Sequence, residues 1–288
     1  MLLLALLACA AEVETPNPPR RDPTASYEAL LGRIVTDEGL VRYDVLRKDA
    51  SALESFIGWI AVHGPETDNI RLLDDNRRLA WHLNAYNALV LWGVLQAEQD
   101  RGAPLASVRD VNGFFWRQYF GIDGERISLG LYETRVILPT YEEPLSHAAL
   151  NCASRSCPPL RNELYTSSRL QSQLEDQMRR WMSTEDATRT AMDWDPAAKQ
   201  FVFSAIFDWY SRDFSDWGGA QNPCEAVSRY ANLRQRALLD ANRDCPHRFY
   251  SYDWSLNAAP AEPNTAEPNA AEPNAAEPNA AQKAVPAP

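Results

Sequence analysis

Apolar positions through the middle of the chain recur mostly with the period of a helix. Residues 26–35 and 50–62 each carry one apolar stripe. In the second, Leu53, Phe56, Ile57 and Ile60 stand at the spacing that puts side chains on one helical face. Between them GLVRYDVL, residues 39–46, alternates like a short strand or a strand-to-helix entry. The longest helical stretch is residues 76–99, NRRLAWHLNAYNALVLWGVLQAEQ. Its apolar residues cover most of the circumference, so it has no wide face for water and is expected at the buried centre.

Beyond that helix the pattern shortens. Residues 126–129 read as a strand, followed by a helix or turn over 131–138 that Pro139 ends. Small residues at 146–151 read as a second short strand. Residues 167–182 read as a surface helix with Ser167 as its N-cap. Residues 191–193 and 200–203 pair as a hairpin around Asp195-Pro196. Helices over 205–214 and 223–242, the latter broken, precede a last strand at 248–252. Helices dominate and strands are short and local. The expected class is α+β: a mainly helical single domain around a buried central helix, with its short strands in a small sheet.

Both ends depart from this pattern. Residues 1–9, MLLLALLAC, form an apolar run far too short to span a bilayer, and polar, proline-rich sequence follows over residues 10–24. That is the pattern of a signal peptide. Leu6-Leu7-Ala8-Cys9 also resembles a lipobox, at which Cys9 becomes a lipidated N-terminus. The expectation is an exported protein, periplasmic or a membrane-anchored lipoprotein of a bacterial cell envelope, touching membrane only through that lipid. From Ala258 the unit AEPN recurs at Ala261, Ala266, Ala271 and Ala276. Proline in every repeat blocks a continuous helix, and little apolar surface is on offer for burial, so residues 258–288 read as a disordered tail. Residues 25–257 remain for the globular domain, with 10–24 as a linker.

Nine Trp, nine Phe and eleven Tyr supply that domain with a sizeable core. A net charge of −11 without a basic stripe excludes nucleic acid as a partner. The four histidines are scattered and lack paired metal-ligand spacing, so neither a metal nor a cofactor is implied.

Apart from Cys9 there are four cysteines. Cys224 and Cys245 sit in turn-forming contexts, NPC and DCPH, and are expected as a disulfide. Closing that loop contributes roughly 3 kcal/mol in the chain-entropy account. Cys152 and Cys157 remain as a close pair.

Several stretches together resemble the DUF547 family, a domain of unknown function: WHLNAYNALV, ISLGLYE, HAALNCASRSCPPL, FDWYSRDF and YDWSLN, in that order along the chain. The resemblance implies landmarks rather than an activity. It is incomplete at one place. The family carries an Arg shortly after the Glu matched by Glu133, whereas Leu138 stands there in this chain and Arg135 lies two residues after the Glu.

The densest candidate chemistry is HAALNCASRSCPPL, residues 147–160. On a strand His147 and Cys152 point to opposite faces, so they pair only if the chain turns at Asn151. The small-residue loop after Asn151 brings Cys157 to His147 equally well. One reading is thiol chemistry: Cys152 or Cys157 as nucleophile, His147 as base, and Glu133 or an Asn orienting the imidazole. Arg155 and loop N–H groups would then hold a carboxylate or oxyanion. The other reading is a Cys152–Cys157 disulfide closing a tight loop ahead of Pro158-Pro159. On the central helix, Asn84 and Asn87 share a face; either they tie the helix to loop backbone or they line a pocket before His147. The cluster Asp208 to Asp213 reads as a structural ion pair around Arg212, and Tyr252-Asp253-Trp254 as a docking segment for the end of the domain.

Two functions follow. The first is a cysteine/histidine-dependent hydrolase or acyl-transfer enzyme of the cell envelope. The second is a non-catalytic, disulfide-stapled module binding a peptide, glycan or small molecule in the same cleft.

Overall fold

The computed structural model describes residues 11–68 and 74–260. The apolar run, Cys9 and the repeats from residue 261 onward lie outside the described residues. Helices α1 (Thr24–Ile34), α2 (Tyr43–Lys48) and α3 (Ser51–Ile60) precede α4 (Asp75–Arg101), with α3 packed on α4 and α1 on α3. Asp74 caps α4 by accepting from the Arg77 N–H, and Gly102 ends it in the left-handed region at φ 65°. Every residue of α4 from Ala85 to Val94 is buried, as its all-round apolar pattern requires. The alternating stretch before α2 is a strand-to-helix entry, with Val41 bridged to Val35 and Ala258.

The strands gather into two three-stranded sheets rather than one. The first has the order β1 (Ala11–Glu12), β2 (Gln118–Ile122), β3 (Glu125–Ser128), with β1 parallel and β3 antiparallel to β2. The second joins β4 (Met192–Asp195) and β5 (Gln200–Phe203) as the expected hairpin and adds β6 (His247–Phe249) in parallel. The expected linker over 10–24 is therefore packed in part. Val13 is buried, Trp92 Nε1 donates to the Glu14 carbonyl at 2.9 Å, and Asn17 lies so close to Gly58 that a Cβ there would sit 2.6 Å from its carbonyl oxygen. The open edge of β2 supplies the partners that a linker reading leaves out. At the other end, Ala259 donates to the Val41 carbonyl, so ordered backbone runs past the expected tail boundary at Ala258.

The second half corrects three local expectations. Pro139 does not end the helix before it: α5 (Leu129–Leu131) runs into a π-helical turn (Tyr132–Ile137) and then α6 (Leu138–Tyr141). Proline stands at the second position of that last turn, directly after the π-helical turn. Residues 146–151 are not a strand: α7 (Ser146–Ala149) is a helical turn, and only from Leu150 is the chain extended. The Glu143 carboxylate receives the Leu145 N–H at 3.0 Å, and the Ala148 N–H donates to the Leu145 carbonyl, so local capping outweighs the strand pattern. Ser167 is not an N-cap of α8 (Leu170–Met182), because its hydroxyl donates instead to Asp74 at 3.0 Å. Helices α9 (Ile206–Trp209), α10 (Ser211–Asp216), α11 (Pro223–Ser228) and α12 (Leu233–Ala241) follow, and a Cys224–Cys245 disulfide ties α11 to the chain entering β6. Among the described residues no helix is long and apolar enough to cross a membrane.

His82 on α4 gives the fold a pH dependence. It is buried, the Tyr132 hydroxyl bonds its Nδ1 at 2.6 Å, and burial pulls its pKa down from 6.5 to about 4. Between these values the unfolded chain holds the extra proton, so stability is complete above pH 6.5 and falls as the pH drops toward 4. The expected loss is on the order of 3 kcal/mol. Urea denaturation at stepped pH should show this slope in the wild type and a flatter one in His82→Phe; equal slopes would exclude the assignment.

Candidate functional site

A cavity of about 310 Å³ opens between the π-helical turn, α7, the cysteine loop and the chain after β6. Its walls are mostly aromatic, including Phe115, Trp116, Trp209, Tyr252 and Trp254, and Trp116 and Trp209 stand exposed at its mouth. Gly130 also lines it. The Trp116 ring lies so close that a Cβ on Gly130 would come within 2.7 Å, so only glycine leaves that wall in place.

Three groups of polar chemistry meet in this cleft. Glu133, carried by the π-helical turn, accepts from the Tyr86 and Tyr210 hydroxyls, each at 2.7 Å. Burial, reinforced by the Glu133 charge, pushes both tyrosines above their ordinary pKa and keeps them protonated donors. Next, His147 on α7 is buried and bonds Asp213 Oδ2 through Nε2 at 2.9 Å. The Tyr210 ring packs on the imidazole with centroids 4.1 Å apart, and Phe214 approaches at 5.4 Å. With Nε2–H donating to Asp213, Nδ1 carries the lone pair, and it makes no hydrogen bond among the described residues. Finally, Cys152 and Cys157 line the same cleft and form a disulfide, their Cα atoms 6.2 Å apart.

The cysteine loop is held from three sides. Asn87 of α4 donates to the Ala149 carbonyl at 3.0 Å and accepts from the Asn151 N–H at 2.9 Å, fixing the turn that presents His147. Asn151 donates to the Pro158 carbonyl and accepts from the Ala153 N–H, closing the loop on itself. Residues 253–257 then lie along it: Arg155 N–H donates to the Ser255 carbonyl, Ser156 N–H to Asp253, and Asn257 N–H to Ala153. The YDWSLN segment thus docks on the candidate site itself. Around Cys152 the Ser154 and Tyr252 hydroxyls reach Sγ at 2.8 and 3.3 Å, and the Cys152 N–H donates to Cys157 Sγ at 2.8 Å.

The structure brings His147, Cys152, Cys157 and Glu133 to the walls of one cavity. It removes several expected roles. Glu133 does not orient the imidazole, because both its oxygens are taken by tyrosines; Asp213 does so instead. Asn84 does not reach the cleft, because Tyr165 backbone bonds it reciprocally, through its carbonyl and its N–H, at 2.9 Å. Asn87 and Asn151 likewise serve backbone. The Arg155 guanidinium pairs with Asp186 at 3.1 Å and does not line the cleft. The direct constraint on the strand faces of His147 and Cys152 lapses with the strand. Sequence reasoning missed Tyr86, and it read Tyr210 and Asp213 only as part of an ion-pair cluster around Arg212, not as partners of Glu133 and His147. Tyr210 and Asp213 are three apart at the start of α10, which places them side by side on a helical turn, and that spacing was the available signal.

Fold and cleft together define a mainly helical α+β domain in which a buried histidine, bonded to Asp213 behind it, and a cysteine pair share one aromatic-walled pocket. Residues 70–182 match the model of the family described as "Protein of unknown function, DUF547", which supports the resemblance of this chain to that family. The match contains Tyr86, Glu133 and the whole segment 147–160, whereas Tyr210, Asp213 and Tyr252 lie beyond it. No curated protein and no solved structure matches the chain. Among the described residues no three His, Cys, Asp or Glu side chains gather as metal ligands.

Proposed function

We propose that the domain is a thiol-dependent hydrolase or acyl-transfer enzyme of the cell envelope, with Cys152 as nucleophile, His147 as base and Asp213 as the group that orients it. The observation that carries this reading is that buried His147, held by Asp213 through Nε2, lines the same cleft as Cys152. In the reduced protein His147 Nδ1 takes the Cys152 proton, and the thiolate adds to a substrate carbonyl. The C–X bond then breaks, the imidazolium returns its proton to the leaving group, and water or a second nucleophile releases the acyl group from sulfur. Asp213 holds the ring through Nε2 throughout. Cys152 is preferred over Cys157 because it is half-buried on the cleft, whereas Cys157 is buried, and because two hydroxyls converge on its sulfur. The envelope setting rests on the apolar run ahead of Cys9.

The closed Cys152–Cys157 disulfide favours a second reading, a stapled module that binds a peptide or glycan between the tryptophans. Iodoacetamide alkylation of the reduced protein, mapped by peptide mass, separates the two. The enzyme reading expects Cys152 to react several-fold faster than a model cysteine thiol near neutral pH. A Cys152 no faster than the model thiol overturns it and leaves the binding module.

A further inference from the structure

We infer that the Cys152–Cys157 disulfide is a redox gate, opened by a dithiol that attacks Cys152, and that closure of this bond silences the cleft. This rests on the thiol reading above and names its regulation. Three observations support it. The two disulfides differ in access: Cys152 is half-buried and lines an open cavity, whereas Cys224 and Cys245 are both buried under the α11–β6 junction. The loop between Cys152 and Cys157 is anchored by bonds that do not involve the disulfide. Asn87, Asn151 and the 253–257 segment hold its backbone, so breaking the S–S bond leaves the cleft assembled. Both sulfurs also have a donor in place. The Cys152 N–H points at Cys157 Sγ, and the Ser154 and Tyr252 hydroxyls converge on Cys152 Sγ. Donors so placed favour a thiolate over a thiol at each sulfur.

The exchange proceeds in two displacements. A thiolate of the dithiol attacks Cys152 Sγ; the Cys152–Cys157 bond breaks, and Cys157 leaves with the electron pair, received by the Cys152 N–H. The second thiolate of the dithiol then attacks its own sulfur in the mixed disulfide, releasing Cys152 as thiolate beside the two hydroxyls. The dithiol is oxidised to its cyclic disulfide and the protein disulfide is reduced to two thiols, with the two protons passing from one to the other. Reoxidation by an envelope disulfide reverses the sequence and removes the nucleophile.

The test treats the native full chain with dithiothreitol for timed intervals, quenches with iodoacetamide, and maps each cysteine by peptide mass. Cys152 and Cys157 should be labelled at least about tenfold faster than Cys224 and Cys245. The Cys157→Ser variant, whose hydroxyl can still accept from the Cys152 N–H, should label at Cys152 without dithiothreitol at the rate of reduced wild type. Equal reduction of both pairs, a Cys152–Cys157 bond untouched by dithiothreitol, or rapid labelling of Cys152 in untreated wild type would each overturn the gate. Selective reduction followed by a Cys152 no more reactive than a model thiol would overturn the enzyme reading instead, leaving an exchange-active pair. The timed reduction of wild type decides the gate even if Cys157→Ser does not fold.

Discussion

Reduced protein carrying His147→Ala should alkylate at Cys152 roughly ten- to thirtyfold more slowly than reduced wild type near pH 7. A cysteine of ordinary pKa, about 8.5, is only a few per cent thiolate at that pH, so an imidazolium partner that ionises it fully gains a factor of this order. Asp213 holds the imidazole through Nε2 and sets its tautomer, so Asp213→Asn should lose most of the same factor while keeping the ring and its packing against Tyr210 and Phe214. Protection of Cys224 and Cys245 from the reductant reports in the same experiment that the variants remain folded. An unchanged rate in both variants would remove His147 and Asp213 from the chemistry.

Asn87→Ala should lower stability by about 3 kcal/mol in urea denaturation. Its amide satisfies the Ala149 carbonyl and the Asn151 N–H inside the core, and each buried backbone group left without a partner costs about 1–3 kcal/mol. The same change frees the turn that carries His147, so Cys152 reactivity after reduction should fall with it. Asn84→Ala is the matched control. Asn84 bonds Tyr165 backbone in the same reciprocal way, but it is only part-buried and holds a segment away from the cleft. It should cost less stability and leave Cys152 reactivity unchanged; a loss equal to that of Asn87→Ala would mean that the helix as a whole, not the 149–151 contact, supports the site.

The two asparagines show how far pattern reasoning reaches. Their polarity on an otherwise apolar helix signals that each must find a partner, and backbone partners are what both find. Which segment supplies the partner is a matter of tertiary packing. The π-helical turn that carries Glu133 is a similar case. The motif marks the carboxylate, but its two tyrosine donors come from α4 and from the junction of α9 and α10, far apart in sequence.

The sequence by itself determined the helical class, the central position of α4, the β4–β5 hairpin, both cysteine pairings as candidates, and segment 147–160 as the location of the candidate site. These follow from local period, from burial demanded by composition, and from the few chemistries open to closely spaced cysteines. Only the tertiary structure decided that residues 146–149 form a helical turn, that Asp213 rather than Glu133 holds His147, that residues 252–257 dock on the cysteine loop, and that Arg155 turns to Asp186. The reason is physical. Each of these rests on a hydrogen bond between side chains or backbone tens of residues apart, or on local capping that a small-residue run conceals, and neither leaves a periodic trace in the chain.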